Sequence, residues 1–312
     1  MTSLRRWGQS AYETDADMAE ERALCEQLGL AWSLQPDVTR PPGGGANILV
    51  VTSKVKVTSQ ILDSVQPDLV CTTTSGFEHI DVTAATARAV SVTRCPMARR
   101  DAVVEHTVAS LVRLLRRFPD QEAPAADGRW ARSDLPALAP RGLRGARIVV
   151  VGVGVIGARV AEVLSLLGAE VVGVDPAGVP AGIGAGDWPA AVVDADAVSL
   201  HASATPSALG LLDRGALKAL PHGCVVINTA RGDLMDPVAA AELVRQGHLG
   251  GLACDVFPQE PWPELARFAA PNILLTPHSS GFTHDLGSRV AEDVHRVVRA
   301  YMTGEPLPWR VN

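Results

Sequence analysis

Aromatic residues make up only 4% of this 312-residue chain, a scarcity that disfavours a surface built to stack nucleobases. A dominant charge is also missing. Lys and Arg number 28 against 34 Asp and Glu, so the net charge of −6 gives no global pull toward nucleic acid or anionic membrane. The five cysteines (Cys25, Cys71, Cys95, Cys224 and Cys254) are odd in number and lack any CxxC spacing. Neither a disulfide framework nor a zinc site is suggested, and no metal is expected. Several sit inside apolar runs, which suits a reducing, cytoplasmic setting. The N-terminal stretch has no signal-peptide core, and the longest apolar run, Ile148–Ala158, is too short and glycine-rich to span a bilayer. No internal repeat or low-complexity linker is evident.

Against these absences stand 47% hydrophobic and 20% charged residues, enough apolar material for real cores in a chain long enough for two domains. Short β-branched runs alternate with segments of helical spacing. Ile48–Thr52, Leu69–Thr73 and Val90–Thr93 read as strands, with helices over Ser59–Val65 and Val82–Ala89 between them. Further buried strands are predicted at Arg147–Val151, Val171–Asp175, Ala197–His201, Cys224–Asn228, Gly251–Asp255 and Ile273–Thr276. This alternation implies parallel sheets with crossover helices. Arg100–Phe118 reads as one long amphipathic helix ending before Pro119, and His284–Tyr301 as a second.

The most specific local motif is Gly152-Val153-Gly154-Val155-Ile156-Gly157, a G-x-G-x-x-G placed directly after a β-branched run. Gly152 permits the tight turn, Gly154 lets backbone approach a pyrophosphate, and Gly157 lets helix pack on strand. The helix that follows offers free N–H groups and a positive dipole to phosphates. Asp175 ends the next strand, 23 residues after Gly152, where a carboxylate accepts from ribose hydroxyls and repels a 2′-phosphate. No Lys or Arg lies in Pro176–Gly186, so NAD is favoured over NADP.

Ligands of an open parallel sheet sit at the carboxyl ends of its strands. Just past three predicted strands lie Arg231, Glu260 and His278. A cation to hold a carboxylate and polarise a ketone, an imidazole to donate a proton, and a carboxylate to orient that imidazole are what reduction of a 2-keto acid requires. Singly, each has a bland reading: a surface ion pair, a turn residue, a structural histidine. Jointly, at one sheet edge, they read as a site. His201 is read as structural, though it follows a strand beside the expected cofactor.

These motifs resemble the D-isomer-specific 2-hydroxyacid dehydrogenase family. The likeness is carried by Thr74-Ser75-Gly76-Phe77-Glu78-His79-Ile80-Asp81, Val104-Glu105-His106-Thr107, the glycine loop with Asp175, and Ile227-Asn228-Thr229-Ala230-Arg231-Gly232. It continues through Asp255-Val256-Phe257-Pro258-Gln259-Glu260-Pro261, Thr276-Pro277-His278 and the closing Val311-Asn312. The resemblance implies an α/β fold of two doubly wound parallel-sheet domains. A Rossmann NAD-binding domain (100–283) would be inserted into a flavodoxin-like substrate domain (1–99 and 284–312). It implies Arg231, Glu260 and His278 as catalytic residues, and Ser75, Gly76, Arg231 and His278 as the substrate set. The cofactor set would be Gly152, Gly154, Val155, Ile156, Gly157, Asp175, Thr205, Thr229, Ala230, Asp255 and Gly281, with Asp255 on the nicotinamide carboxamide. His79 is expected to pack in the substrate domain, away from the chemistry. A homodimer with an arm near Phe118–Arg144 is implied.

Departures from the family pattern also carry expectations. The region before Ala46 matches the family poorly, and its first strand is expected to be short or absent. Ser75 stands where phosphite-oxidising relatives carry lysine, which argues against that activity. No regulatory domain follows Asn312, so a feedback-regulated phosphoglycerate dehydrogenase is not expected. Arg99 and Arg100, set against the helix dipole, suggest either a second anionic group on the substrate or a cationic helix start facing solvent. The reading is an NAD-dependent oxidoreductase interconverting a small 2-keto acid and its D-2-hydroxy acid. The alternative is a catalytically weak NAD(H)-sensing, corepressor-like protein on the same fold; another Rossmann enzyme, such as a methyltransferase, fits the later residues poorly.

Overall fold

The computed structural model describes residues 2–312. The chain divides into two compact units, residues 1–99 with 282–312, and 100–281.

The first unit contains β1 (Ser3–Trp7), α1 (Asp15–Gln27), β2 (Ala31–Gln35), β3 (Ile48–Val51), α2 (Ser59–Val65), β4 (Leu69–Thr72), α3 (Val82–Ala87) and β5 (Ser91–Arg94), and adds a C-terminal helix, Leu286–Thr303. Its parallel sheet runs β2-β1-β3-β4-β5, the flavodoxin-like order. Strand alternation explains the burial. Ile48 and Val50 pack into one apolar cluster with the C-terminal helix, while Leu49 and Val51 pack into another on the opposite face.

The expectation of a short or absent first strand is corrected here. β1 is a five-residue strand paired on both sides, to β2 and to β3. It reads as polar because it carries Arg6, which is 1% exposed and paired with the buried carboxylates of Glu13 and Glu21. Buried charge is tolerated only when paired in this way.

Helix α4 (Met97–Leu115) starts earlier and ends sooner than its apolar spacing suggested. Pro119 does not close it. Phe118 opens a second helix, α5 (Phe118–Ala126), with Pro119 in its first turn, where a missing N–H costs nothing. The start of α4 is capped from a distance: Asp293 of the C-terminal helix accepts from the N–H groups of Met97 and Ala98, both at 2.9 Å. This buried carboxylate offsets the basic Arg99 and Arg100 at the positive end of the dipole. Both arginines are half-buried and bonded. Arg99 donates to the Thr73 carbonyl at 2.8 Å and to the Tyr12 hydroxyl, with its guanidinium over the Tyr12 ring, and Arg100 pairs with Asp101 at 2.8 Å.

The second unit continues with α6 (Leu135–Leu138), β6 (Arg147–Val151), α7 (Val155–Leu166), β7 (Glu170–Val174), β8 (Gly184–Ala185), β9 (Ala197–Leu200), α8 (Arg214–Ala219), β10 (Val225–Asn228), α9 (Pro237–Arg245), β11 (Gly251–Cys254) and β12 (Ile273–Leu275). Its seven-stranded parallel sheet runs β12-β11-β10-β9-β6-β7-β8, a Rossmann order extended by one strand, with β6 and β9 meeting where the winding reverses. Ile148 and Val150 of β6 face one core, and Val149 and Val151 the other. Among the described residues no helix is long and apolar enough to cross a membrane.

Candidate active site

The glycine loop lies at the switch point of the second sheet, between β6 and α7. Gly152 has φ +86°, and a Cβ there would stand 2.5 Å from the Ala202 nitrogen. A Cβ on Gly157 would stand 1.9 Å from the Gly152 carbonyl oxygen. Gly152 and Gly157 are therefore glycine because backbone closes on them. Gly154 differs: it is exposed, and a Cβ there would meet nothing within 4 Å, so the space over the loop is open. Gly154 is also the N-cap of α7 and supplies no side-chain cap, which leaves first-turn N–H groups such as those of Val155 and Ile156 for a ligand.

Asp175 follows β7 and turns back onto this loop. Its carboxylate accepts from the Val153 N–H and the Ala177 N–H, both at 2.9 Å. A carboxylate has about four acceptor positions, so room remains for hydroxyl donors. His201 and Ala202 form the floor under Gly152 and Gly157. The His201 ring shares a 2.8 Å hydrogen bond with the Ser199 hydroxyl, and burial pushes its pKa down to about 4. Thr205, also expected near the cofactor, is exposed in the following loop, its hydroxyl 3.2 Å from that of Ser207.

The three strand-end residues occupy β10, β11 and β12 exits, which are neighbours in the sheet. After β12, His278 adopts φ +52°, a left-handed conformation uncommon for a side-chain-bearing residue. Its N–H donates to the carbonyls of Asp255 at 2.8 Å and Thr276 at 3.1 Å. The carboxylate of buried Asp255 holds the rest of this turn, accepting from the Thr276 hydroxyl at 2.5 Å and the N–H groups of Ser279 and Ser280 at 2.8 and 2.9 Å. Burial works to raise the Asp255 pKa, but hydrogen bonds from Ser280 and Thr276 outweigh it and hold the group below the usual carboxylate range.

His278 Nδ1 and Glu260 Oε2 stand 2.8 Å apart, and Glu260 Oε1 accepts from the Phe257 N–H at 3.0 Å. Arg231 begins the turn after β10. Its backbone carbonyl accepts from Asn228 at 2.9 Å, and its guanidinium donates to the Ala230 carbonyl at 2.6 Å. Ala230 N–H donates to Asn228, and the Thr229 hydroxyl lies 3.4 Å from that of Thr107. Beside Arg231, a Cβ on Gly232 would stand 2.0 Å from the Phe257 carbonyl carbon. The arginine loop and the glutamate loop are thus in backbone contact. Gly281, the last residue of this unit, follows the turn that Asp255 holds.

Ser75 and Gly76 belong to the first unit, in the loop after β4. There the Thr74 hydroxyl donates to the Gly76 carbonyl at 2.8 Å and lies 2.9 Å from the Thr72 hydroxyl, which shares a 3.0 Å bond with the His79 ring. Arg94 donates to the Ser75 carbonyl at 3.2 Å. His79 therefore braces the loop that carries Ser75. Sequence reasoning did not single out Gly232, Thr276 or Arg94; the close backbone approach at Gly232 had its signal in a glycine directly after the candidate arginine.

Comparison with known proteins supplies the class. The family model for the D-isomer specific 2-hydroxyacid dehydrogenase NAD binding domain matches residues 108–280. A D-3-phosphoglycerate dehydrogenase from Mycobacterium leprae is 33% identical over 298 residues, covering 93% of this chain and 56% of that protein. A glyoxylate reductase from Thermofilum pendens is 31% identical over 269 residues, covering 82% of this chain and 78% of that one. In fold, the chain superposes on D-lactate dehydrogenase from Aquifex aeolicus, solved with NAD and lactic acid. The TM-score is 0.77 at 23% identity, over 97% of this chain and 96% of that one. This chain belongs to the D-isomer-specific 2-hydroxyacid dehydrogenase family, and its second unit carries the family's NAD-binding domain. It spans only about half the length of the phosphoglycerate dehydrogenase it matches.

Proposed function

We propose that the protein is an NAD-dependent reductase of a small 2-keto acid, or the dehydrogenase of the corresponding D-2-hydroxy acid. The observation that carries this reading is the ordered pair Glu260–His278, with the Arg231 loop seated against the same segment. NAD(H), when bound, supplies or accepts the hydride. The exposed glycine loop and the first turn of α7 would hold its pyrophosphate, and Asp175 the adenosine ribose, which selects against a 2′-phosphate.

Glu260 accepts the Nδ1 proton of His278 and leaves Nε2 as the atom that exchanges a proton with the substrate oxygen. A hydrogen bond to Glu260 thus sets both tautomer and ring direction. Arg231, always charged, would hold the substrate carboxylate and polarise the carbonyl. For the backbone around Ser75 and Gly76, in the first unit, the family resemblance supports a role in substrate binding. Asp255 acts on the reaction through the turn that carries His278. The assembly proposed from the family is a homodimer, which sedimentation of the purified protein measures.

The direct test is an NADH-oxidation screen over glyoxylate, pyruvate, hydroxypyruvate, phosphohydroxypyruvate, phenylpyruvate and branched keto acids. Turnover of at least one, lowered by orders of magnitude in His278→Ala, is expected. Tight NADH binding with no turnover of any 2-keto acid would instead favour the NAD(H)-sensing role.

A further inference from the structure

The segment from Phe257 to Trp262 carries Glu260, and its two ends are clamped by aromatic rings. The Phe257 and Trp262 rings stack with centroids 4.6 Å apart and planes 15° from parallel. On its other side Trp262 stacks on Phe268 at 5.3 Å and 8°. Phe268 is 1% exposed and buried in the core on that face of the sheet, with the guanidiniums of Arg245 and Arg267 at 5.5 and 5.2 Å from its ring centre. Half-buried Trp262 is therefore the middle plate of a stack whose outer plate is fixed in the core. Its inner plate, Phe257, is the residue whose N–H fixes Glu260 Oε1 at 3.0 Å. The segment between the rings is otherwise exposed: Pro258, Gln259, Glu260 and Pro261 all face solvent. Phe257, at the near end of the loop, is held in the core and against Gly232, so the far end of the exposed stretch is anchored through Trp262.

We propose that Trp262 is a positioning residue: by stacking between Phe257 and Phe268 it closes the loop and holds Glu260 against His278 Nδ1. The role assigned to it for turnover rests on the dehydrogenase reading above. The holding itself does not. Ring stacking adds attraction beyond burial, and an apolar side chain without a flat face loses that part. Without the clamp, Glu260 samples other positions. Nδ1 then loses its acceptor, and the neutral imidazole redistributes its proton between Nδ1 and Nε2. A loosened group of this kind costs turnover more than binding.

The test compares Trp262→Leu and Trp262→Met, which keep an apolar side chain, with Trp262→Phe, which keeps a stackable ring. Long-range proton–nitrogen NMR of the His278 ring, recorded where the ring is neutral, reports which nitrogen carries the proton. The parent protein and Trp262→Phe are expected to show the Nδ1–H form; Trp262→Leu and Trp262→Met are expected to show a mixture. In steady-state reduction the Leu and Met variants should lose roughly tenfold in kcat with the KM for NADH unchanged, and Phe should restore most of it. Melting curves identify any variant that fails to fold, and the other aliphatic variant then carries the comparison. A folded Leu or Met variant that keeps the Nδ1–H form overturns the proposal, whatever its activity. A tautomer shift in a protein that turns over no 2-keto acid leaves the clamp standing and removes the dehydrogenase reading instead.

Discussion

Glu260 holds His278 by one carboxylate oxygen at 2.8 Å and keeps its other oxygen for the Phe257 N–H at 3.0 Å. The carboxylate is thus tied to the protein at one end and to the imidazole at the other. The His278 backbone adds to the order, since its left-handed φ of +52° is held by bonds to the Asp255 and Thr276 carbonyls. Such pre-organisation is what a group that must present one nitrogen to a substrate requires.

Replacing His278 by Ala is expected to lower kcat by roughly 10²–10⁴-fold, the usual loss when general acid–base help is removed. In reduction the ring gives a proton to the substrate oxygen, and in oxidation it takes one back. Stability offers a second reading of the same position. A left-handed residue other than glycine costs about 1–2 kcal/mol, so His278→Gly should be more stable than His278→Ala in urea unfolding. Equal stabilities would mean that the turn carries no such strain.

Asp175 should set cofactor choice. Its two N–H donors, Val153 and Ala177, fix the carboxylate beside the glycine loop with acceptor capacity to spare. Asp175→Ser removes the charge that repels a 2′-phosphate, and the ratio of kcat/KM for NADH to that for NADPH should fall by tenfold or more, as an order of magnitude. An unchanged ratio would assign Asp175 to loop structure alone.

Much of the fold was legible because its strands are β-branched runs buried on both faces. Ile48–Val51 and Arg147–Val151 stand where their apolar runs put them. The glycine loop was legible for a related reason, since backbone contact at Gly152 and Gly157 leaves no room for a side chain. β1 was hidden because Arg6 occupies a core position, and only its pairing with Glu13 and Glu21, outside the strand, makes that burial possible. The end of α4 was missed because Pro119, a stop inside a helix, serves equally well in the first turn of α5. At the candidate site the residue types at successive strand ends were readable, but the hydrogen bonds that Asp255 accepts from the turn of His278 were not. A carboxylate that holds a turn and one that faces a ligand look alike in sequence.

Gly232 tests the contact between the arginine and glutamate loops. A methyl group there would stand 2.0 Å from the Phe257 carbonyl carbon and 2.3 Å from the Pro258 nitrogen, both backbone atoms that cannot swing aside. One of the two loops must move. Gly232→Ala is expected to cost about 1–3 kcal/mol, the range for overpacking a filled site, and to lower kcat/KM for the keto acid. Denaturant unfolding beside kinetics checks both. A variant with parental stability and activity would show that the contact is not tight in solution.

His201 gives a prediction about stability that does not depend on the reaction. It keeps a little surface, yet its ring is closely surrounded, bonded to Ser199, and its pKa is pushed from 6.5 down to about 4 by burial. Between those two values the unfolded chain binds a proton that the folded protein refuses. Stability is therefore full above about pH 6.5 and falls as the pH drops toward 4. The shift sets an upper bound of about 3 kcal/mol, reduced by whatever water reaches the ring. His295, held low by burial, acts in the same direction, and Asp255 adds its own loss at lower pH still. The informative quantity is thus a difference. Urea unfolding of the parent and His201→Gln at pH 7.5 and about pH 5 should show a smaller acid loss in the variant, because glutamine keeps a polar partner for Ser199 but takes up no proton. If both lose the same stability over that interval, His201 is not the buried neutral histidine that the structure describes.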